Sequence, residues 1–274
     1  ARRNKVPCVA SLHTRFETYA RYYHLGFLEP LMIYLSQRFY NRVDRVLVPG
    51  PMLGDILREW GVTTPIDIWS RGVNHARFNP ERRDMAWRRA LGIADDAVAI
   101  GFLGRLVLEK GLDVFSEVIA ELERRGVKHH VLVIGDGPAR DWFAERVPGA
   151  AFAGFLTGDD LGRAVASMDV FFNPSVTETF GNVTLEAMAC AVPVVAAHAT
   201  GSTGLVDPGT TGFLVEPSDI PGYADAIQKL AENDALRASA GAAGFARAQG
   251  YDWDAINQRV IDAYLRTMAE TGTA

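Results

Sequence analysis

The chain is short of several things, and each shortage removes a class of explanation. Two cysteines, Cys8 and Cys190, are all that its 274 residues hold. They stand far apart in apolar, strand-like or helical settings. That excludes a disulfide scaffold and a cysteine metal site, and both are expected to be reduced core thiols. No apolar run reaches the roughly 18 residues of a membrane span. The opening ARRNKVPCVA has basic residues but no apolar leader segment, which gives the expectation of a cytoplasmic chain. No low-complexity tract or short-period repeat is present. Neither G-x-x-x-x-G-K-[S/T] nor G-x-G-x-x-G follows any strand, so a Walker-type NTPase and a nicotinamide dehydrogenase are set aside. No Asp-x-Asp pair precedes a suitable loop. Asp95-Asp96 and Asp159-Asp160 read as turn and helix-cap acids, and no metal is expected.

What is present is a core-forming composition, 48% hydrophobic and 22% charged. The charge is unevenly placed. Residues 1–90 hold 15 Lys/Arg against 8 Asp/Glu, and the remainder 13 against 25. A basic first part points to an anionic surface or acceptor, although singly spread cations on solvated helix faces produce the same count.

Along the chain, residues 5–12 read as a strand ending at His13-Thr14, and residues 16–24 as helix or loop. Residues 27–43 read as a helix whose Leu31, Ile33, Tyr34, Leu35, Phe39 and Tyr40 face a core; the same pattern beside Arg38 and Arg42 would also suit a bilayer surface. Arg45–Val48 is a strand, 52–60 a helix and 66–69 a strand. A hinge is expected at Gly72-Val73-Asn74, followed by an irregular stretch. From residue 98 onward strands alternate with helices of about 10–15 residues, which predicts a parallel, doubly wound α/β sheet. The tail, 236–248 and 253–268, is helical.

Two stretches carry chemistry. The first is GRLVLEKG, which follows a strand and opens a helix. Gly104 and Gly111 allow close backbone approach, and Arg105 and Lys110 can converge on one anion. Cations at a helix start oppose the helix dipole, so an anion site explains them better than solvated surface does. The second is SVTETFGNVTLEAM, residues 175–188. Glu178 lies in the loop, and Gly181-Asn182 stand at a helix start. Glu186 shares a helix face with Asn182 and sits among Val183, Leu185, Ala187 and Met188, a poor place for a carboxylate without a ligand. Carboxylates there suit sugar or ribose hydroxyls, and the amides of Phe180, Gly181 and Asn182 suit an anion.

In order, GRLVLEKG, GDGP, GF and PSVTETFGNVTLEAMACAVPVVA resemble the family-4 retaining glycosyltransferases of the GT-B fold, bacterial lipid and phosphatidylinositol mannosyl- or glucosyl-type members above all. The resemblance implies two Rossmann-like, doubly wound α/β domains. Residues 1–74 would be the remainder of the N-terminal acceptor-side domain, with about 100 residues preceding it by the domain-size prior. Residues 75–250 would be the donor domain, and 251–274 a helix crossing back. It further implies that Arg105 and Lys110 hold the donor diphosphate, Glu186 the ribose, and Glu178 the transferred sugar. The Phe180-Gly181-Asn182 loop would face sugar and phosphate, and Phe155-Leu156 would contact the base. Gly104, Gly135 and Val183 complete the donor-binding set. His13 would lie by the donor sugar, with Thr14 on the acceptor side. Gly204 departs from the acidic residue many members carry there.

Glu178 and Glu186 share one short segment, so they do not flank a bond as a hydrolase pair would. The resemblance instead implies transfer from a UDP- or GDP-sugar to an acceptor hydroxyl with retention. No cofactor and no nucleic acid are implied. The basic, aromatic early region makes a membrane lipid or glycan precursor the expected acceptor, with peripheral contact at the inner membrane face. A nucleotide-sugar 2-epimerase of the same fold and a non-catalytic donor-binding fragment are the alternatives.

Overall fold

The structure is a computed structural model that describes residues 6–15 and 25–272; the stretch 16–24 lies outside the described residues. The chain divides into two compact units, Ala1–Gly72 with Tyr251–Ala274, and Val73–Gly250.

The first unit is built on β1 (Val9–Ser11), α1 (Glu29–Tyr40), β2 (Arg45–Val48), α2 (Pro51–Glu59) and β3 (Ile66–Ile68), with the strands parallel in the order β1-β2-β3. All four residues of β2 are buried, as a central strand covered on both faces requires. β1 is shorter than the predicted strand. The Cys8 amide donates to the Asp44 side chain at 2.8 Å rather than to a neighbouring strand, so the ladder opens only at Val9↔Arg45.

Helix α1 departs from its predicted orientation. Tyr40 is buried, whereas Leu31, Tyr34, Leu35 and Phe39 are each more than half exposed. Among the described residues the helix is anchored at its end instead. There Asn41 donates to the Gly61 carbonyl at 2.9 Å, and Tyr40 joins Leu53, Leu57 and Val62.

The second unit holds a six-stranded parallel sheet with the order β6-β5-β4-β7-β8-β9. It opens with a short helix, α3 (Met85–Ala90), where the sequence reads as irregular. The units that follow are β4 (Ala99–Leu103), α4 (Leu112–Arg124), β5 (His130–Ile134), α5 (Arg140–Arg146), β6 (Ala151–Gly154) and α6 (Gly158–Ala166). Then come β7 (Val170–Asn173), α7 (Asn182–Ala189), β8 (Val194–Ala197), α8 (Thr200–Thr203), β9 (Gly212–Val215), α9 (Ile220–Glu232) and α10 (Asp234–Ala248).

Near-continuous apolar strands explain the sheet, because parallel strands are covered on both faces. On one face Phe115 of α4 stacks on Phe172 of β7 at 4.9 Å between ring centroids, with Phe102 and Phe143 edge-on to it. Burying each ring contributes roughly 1.5–3 kcal/mol.

The closing helix α11 (Trp253–Glu270) belongs to the first unit. Arg45, buried on β2, spreads its guanidinium over Thr267 Oγ1 (2.8 Å), Glu270 Oε2 (2.6 Å) and Asp67 Oδ2 (2.8 Å). A planar fork with several fixed donors suits that arrangement better than an ammonium would. Among the described residues no helix is long and apolar enough to cross a membrane.

Candidate functional site

The strand order sets where the site falls. From β4 the chain runs outward through β5 to β6, then returns to β7 on the other side of β4 and runs out again through β8 to β9. The loops after β4 and β7 therefore part at a topological switch point, where open α/β sheets bind ligands.

Missing side chains let these loops close on one another. Gly135 has φ +136°, and a Cβ there would strike the Gly104 carbonyl oxygen. A Cβ at Gly137 would strike the backbone of Leu106. Backbone bonds then zip the two loops together, Leu106 N to Asp136 O and Ala139 N to Leu106 O, both 3.0 Å.

Above them lies a pocket of about 460 Å³, a volume suited to a small-molecule ligand. Gly104, Arg105, Gly135, Phe155, Leu156, Val183 and Glu186 all line it. These residues come from four loops and helix starts, and all seven were singled out from the sequence. Phe155 is 77% exposed at the rim, an apolar ring available for stacking. Arg105 makes no ion pair with any described residue. The Glu186 carboxyl, in the second turn of α7, likewise has no hydrogen-bond partner or ion pair among the described residues. Burial pushes its pKa up to about 7; Arg77 opposes the rise and Glu178 adds to it. An unpartnered, partly desolvated carboxyl facing a cavity is a group awaiting donors.

The remaining sequence candidates group differently. Lys110 ends a one-turn 3-10 helix, Leu108–Lys110, and Gly111 after it adopts φ 76° against Pro174. Its Nζ donates to Glu178 Oε1 at 2.7 Å. Lys110 and Glu178 thus form a pair across the switch point, and neither lines the pocket, whereas the sequence places Lys110 with Arg105 on one anion.

The Phe180-Gly181-Asn182 loop enters α7 through Gly181 at φ 86°. A Cβ on Gly181 would strike the Gly201 carbonyl, and one on Gly201 would strike Glu178 Cβ. Thr200 Oγ1 donates to the Glu178 carbonyl at 2.6 Å, so α8 holds the loop in place. Phe180 is buried and Asn182 exposed at the helix start.

His13 and Thr14 belong to the first unit, past the end of β1. The His13 ring meets Trp69 edge-on at 4.9 Å, and burial, then Arg71, hold its pKa below the usual histidine value. Neutral imidazole is the favoured form there.

Sequence reasoning missed Leu161, which lines the pocket, and Arg77, which bears electrostatically on Glu186; neither carries a local signal. Asp136, inside the GDGP motif that carried part of the resemblance, lines the pocket as well. Among the described residues no group of three or more His, Cys, Asp or Glu could hold a metal ion.

Comparison with known proteins follows the same division. Residues 97–233 match the family described as Glycosyl transferases group 1, and residues 1–77 match Glycosyltransferase Family 4. A GDP-mannose-dependent alpha-mannosyltransferase of Corynebacterium glutamicum is 30% identical over 98% of this chain and 64% of its own length. The sulfoquinovosyl transferase SQD2 of Arabidopsis thaliana is 32% identical over 93% of this chain and 51% of its own length. The chain thus spans about half to two thirds of these curated relatives. Among solved structures, the Anabaena protein HepE in complex with UDP-glucose superposes with a TM-score of 0.79 at 24% identity, over 94% of this chain and 71% of that one, a likeness of fold. With the switch-point pocket and both family matches in hand, the chain belongs to the family-4, group 1 glycosyltransferases of the GT-B fold.

Proposed function

We propose that the pocket of the second unit binds the nucleoside diphosphate of a UDP- or GDP-sugar. We propose further that the protein transfers that sugar, with retention, to an acceptor hydroxyl of a lipid or glycan precursor. The observation that carries this reading is the pocket itself: an unpartnered carboxyl, Glu186, faces the same 460 Å³ cavity as an unpaired guanidinium, Arg105, under an exposed ring, Phe155. Ribose hydroxyls donate to a carboxylate, phosphate oxygens accept from a guanidinium, and a base stacks on a ring.

Lys110 supplies a second cation for the diphosphate, and Glu178 accepts from hydroxyls of the transferred sugar. Catalysis on this reading rests on positioning and on neutralising the leaving group, without an enzyme nucleophile or a metal. The leaving diphosphate takes the acceptor proton, while neutral His13 and Thr14 serve the sugar and acceptor side. Relatives named for GDP-mannose and a fold neighbour holding UDP-glucose support either base.

Because the chain spans only part of its relatives' length, donor binding and sugar transfer are tested separately. Thermal shift with UDP-, GDP- and ADP-sugars on this chain is expected to single out one nucleotide. The melting rise follows RT ln(1 + [L]/Kd), about 2.7 kcal/mol at a hundredfold excess over Kd. No shift with any of them contradicts the binding reading. Transfer is assayed on a chain of the relatives' full length. Sugar turnover with donor alone would favour an epimerase, and binding without turnover a non-catalytic protein.

A further inference from the structure

His13 and Trp69 come from the two outer strands of the first unit's sheet. His13 follows β1 and Trp69 follows β3, with β2 between them. The backbone fixes both approaches. The Leu12 amide donates to the Leu47 carbonyl at 2.9 Å, and the Trp69 amide to the Val48 carbonyl at 2.7 Å. Strands two places apart in a sheet lie about 9–10 Å from one another. The two rings nevertheless stand with centroids 4.9 Å apart, at an interplanar angle of 80°. Both side chains therefore lean inward over the carboxyl end of β2, the edge at which open α/β sheets take ligands.

Trp69 is locked from several sides. Its indole packs with Val9 against Leu47, Val260 and Ala263, so β2 and α11 both hold it. The Arg71 guanidinium lies 5.6 Å from its ring centroid, within cation–π range. Gly72 lets Trp253, the first residue of α11, lie against the same segment, since a Cβ there would strike the Trp253 ring at 2.7 Å. His13, by contrast, stands on the connection after β1, outside any helix or strand. A fixed indole edge-on to an imidazole on a connecting segment orients the imidazole.

We propose that Trp69 is a positioning residue for His13: its core-anchored indole fixes the plane of the imidazole over the end of β2, so that the ring presents its nitrogens in one direction. The inference rests on the reading in which His13 serves the transferred sugar, and it names the group that aims it.

Neutral imidazole has one N–H donor and one acceptor nitrogen. Rotation about its terminal side-chain torsion exchanges their places, and that torsion is intrinsically broad. An edge-on aromatic partner narrows it, by about 2- to 12-fold in favour of one orientation. Arg71 already places a cation beside the indole, and with burial it keeps His13 from carrying a second. Leucine at position 69 would keep apolar packing against Leu47, Val260 and Ala263 and lose the ring.

The test couples NMR on this chain with transfer assays on a chain of the relatives' full length. In the wild-type chain, nuclear Overhauser contacts are expected between the His13 ring protons and the Trp69 indole protons; their absence overturns the inference without any substitution. Trp69→Leu, Trp69→Phe, His13→Ala and the double variant are then compared, each checked for an unaltered melting profile. Trp69→Leu is expected to shift the His13 imidazole nitrogen resonances and to lower kcat about 2- to 12-fold at an unchanged donor KM. Trp69→Phe, which keeps a ring, retains most of both. In the His13→Ala background Trp69→Leu costs nothing more, because it acts through His13. Unchanged His13 resonances in Trp69→Leu, or the same loss of kcat in both backgrounds, overturn the inference alone. Wild-type kcat in His13→Ala overturns the reading of His13 and the inference with it.

Discussion

Asp169→Ala is expected to lower the stability of the second unit by about 3–5 kcal/mol, the cost of leaving a buried cation without its anion. Arg88, on α3, is fully buried. Its guanidinium donates to Asp169 Oδ2 at 2.7 Å, to the Ala97 carbonyl at 2.7 Å and to the Ser167 carbonyl at 3.2 Å. The same carboxylate accepts the Ala99 amide at the start of β4 (2.7 Å) and Arg83 (2.6 Å). One aspartate therefore ties α3 to the entry edges of β4 and β7. Without it, Arg88 keeps carbonyl partners but loses its countercharge, and the Ala99 amide loses its acceptor.

At roughly 2–4 °C per kcal/mol for a unit of this size, the melting temperature falls by about 6–20 °C. The exposed pair Arg89–Asp95, at 2.8 Å, is the control. Asp95→Ala should change stability by less than about 1 kcal/mol. Calorimetric melting of both variants checks this, and similar small losses in the two would mean the buried network does not hold the unit together.

The second large effect is an asymmetry between the two glutamates. Glu186→Ala is expected to weaken bare UDP or GDP about 10- to 150-fold. That is the loss of one hydrogen bond to a charged group at about 1.5–3 kcal/mol. Glu178→Ala is expected to leave bare nucleotide no weaker than in wild type, and to weaken the sugar-bearing donor. The structure gives a reason for the first half of that statement. Glu178 holds the Lys110 ammonium at 2.7 Å in the ligand-free chain. A diphosphate must compete with that carboxylate for Lys110, and removing Glu178 ends the competition. Calorimetry with UDP, GDP and their sugars on both variants distinguishes the cases. Equal losses of bare nucleotide would dissolve the division of labour between the two residues.

What the sequence disclosed, and what it hid, follows from how far each signal reaches. The alternation of strands and helices after residue 98 was legible because fully buried parallel strands are apolar along their whole length, as in Val131–Ile134 and Val194–Ala197. Gly104 and Arg105 were legible because a glycine and a cation at a helix start make little sense on a solvated surface, and Glu186 because a carboxylate among apolar helix neighbours does not; Gly135, Phe155, Leu156 and Val183 were legible only through the family resemblance. Helix α3 was not, since MAWRRA looks like solvent-facing chain until Asp169, 81 residues after Arg88, arrives to neutralise it. The Lys110–Glu178 pair spans 68 residues and exists because the strand order reverses between β4 and β7, which no local pattern encodes. The apolar face of α1 was read as core because helical periodicity records that a stripe exists and says nothing about what covers it.

The central claim is that the switch-point pocket takes the nucleoside diphosphate of the donor. A crystal structure of the chain with UDP-glucose or GDP-mannose tests it most directly. The account predicts ribose hydroxyls within hydrogen-bond distance of Glu186, phosphate oxygens on Arg105 and Lys110, and the base against Phe155-Leu156. A nucleotide bound away from Glu186 and Arg105, or one whose phosphates leave the Lys110–Glu178 pair untouched, would contradict it.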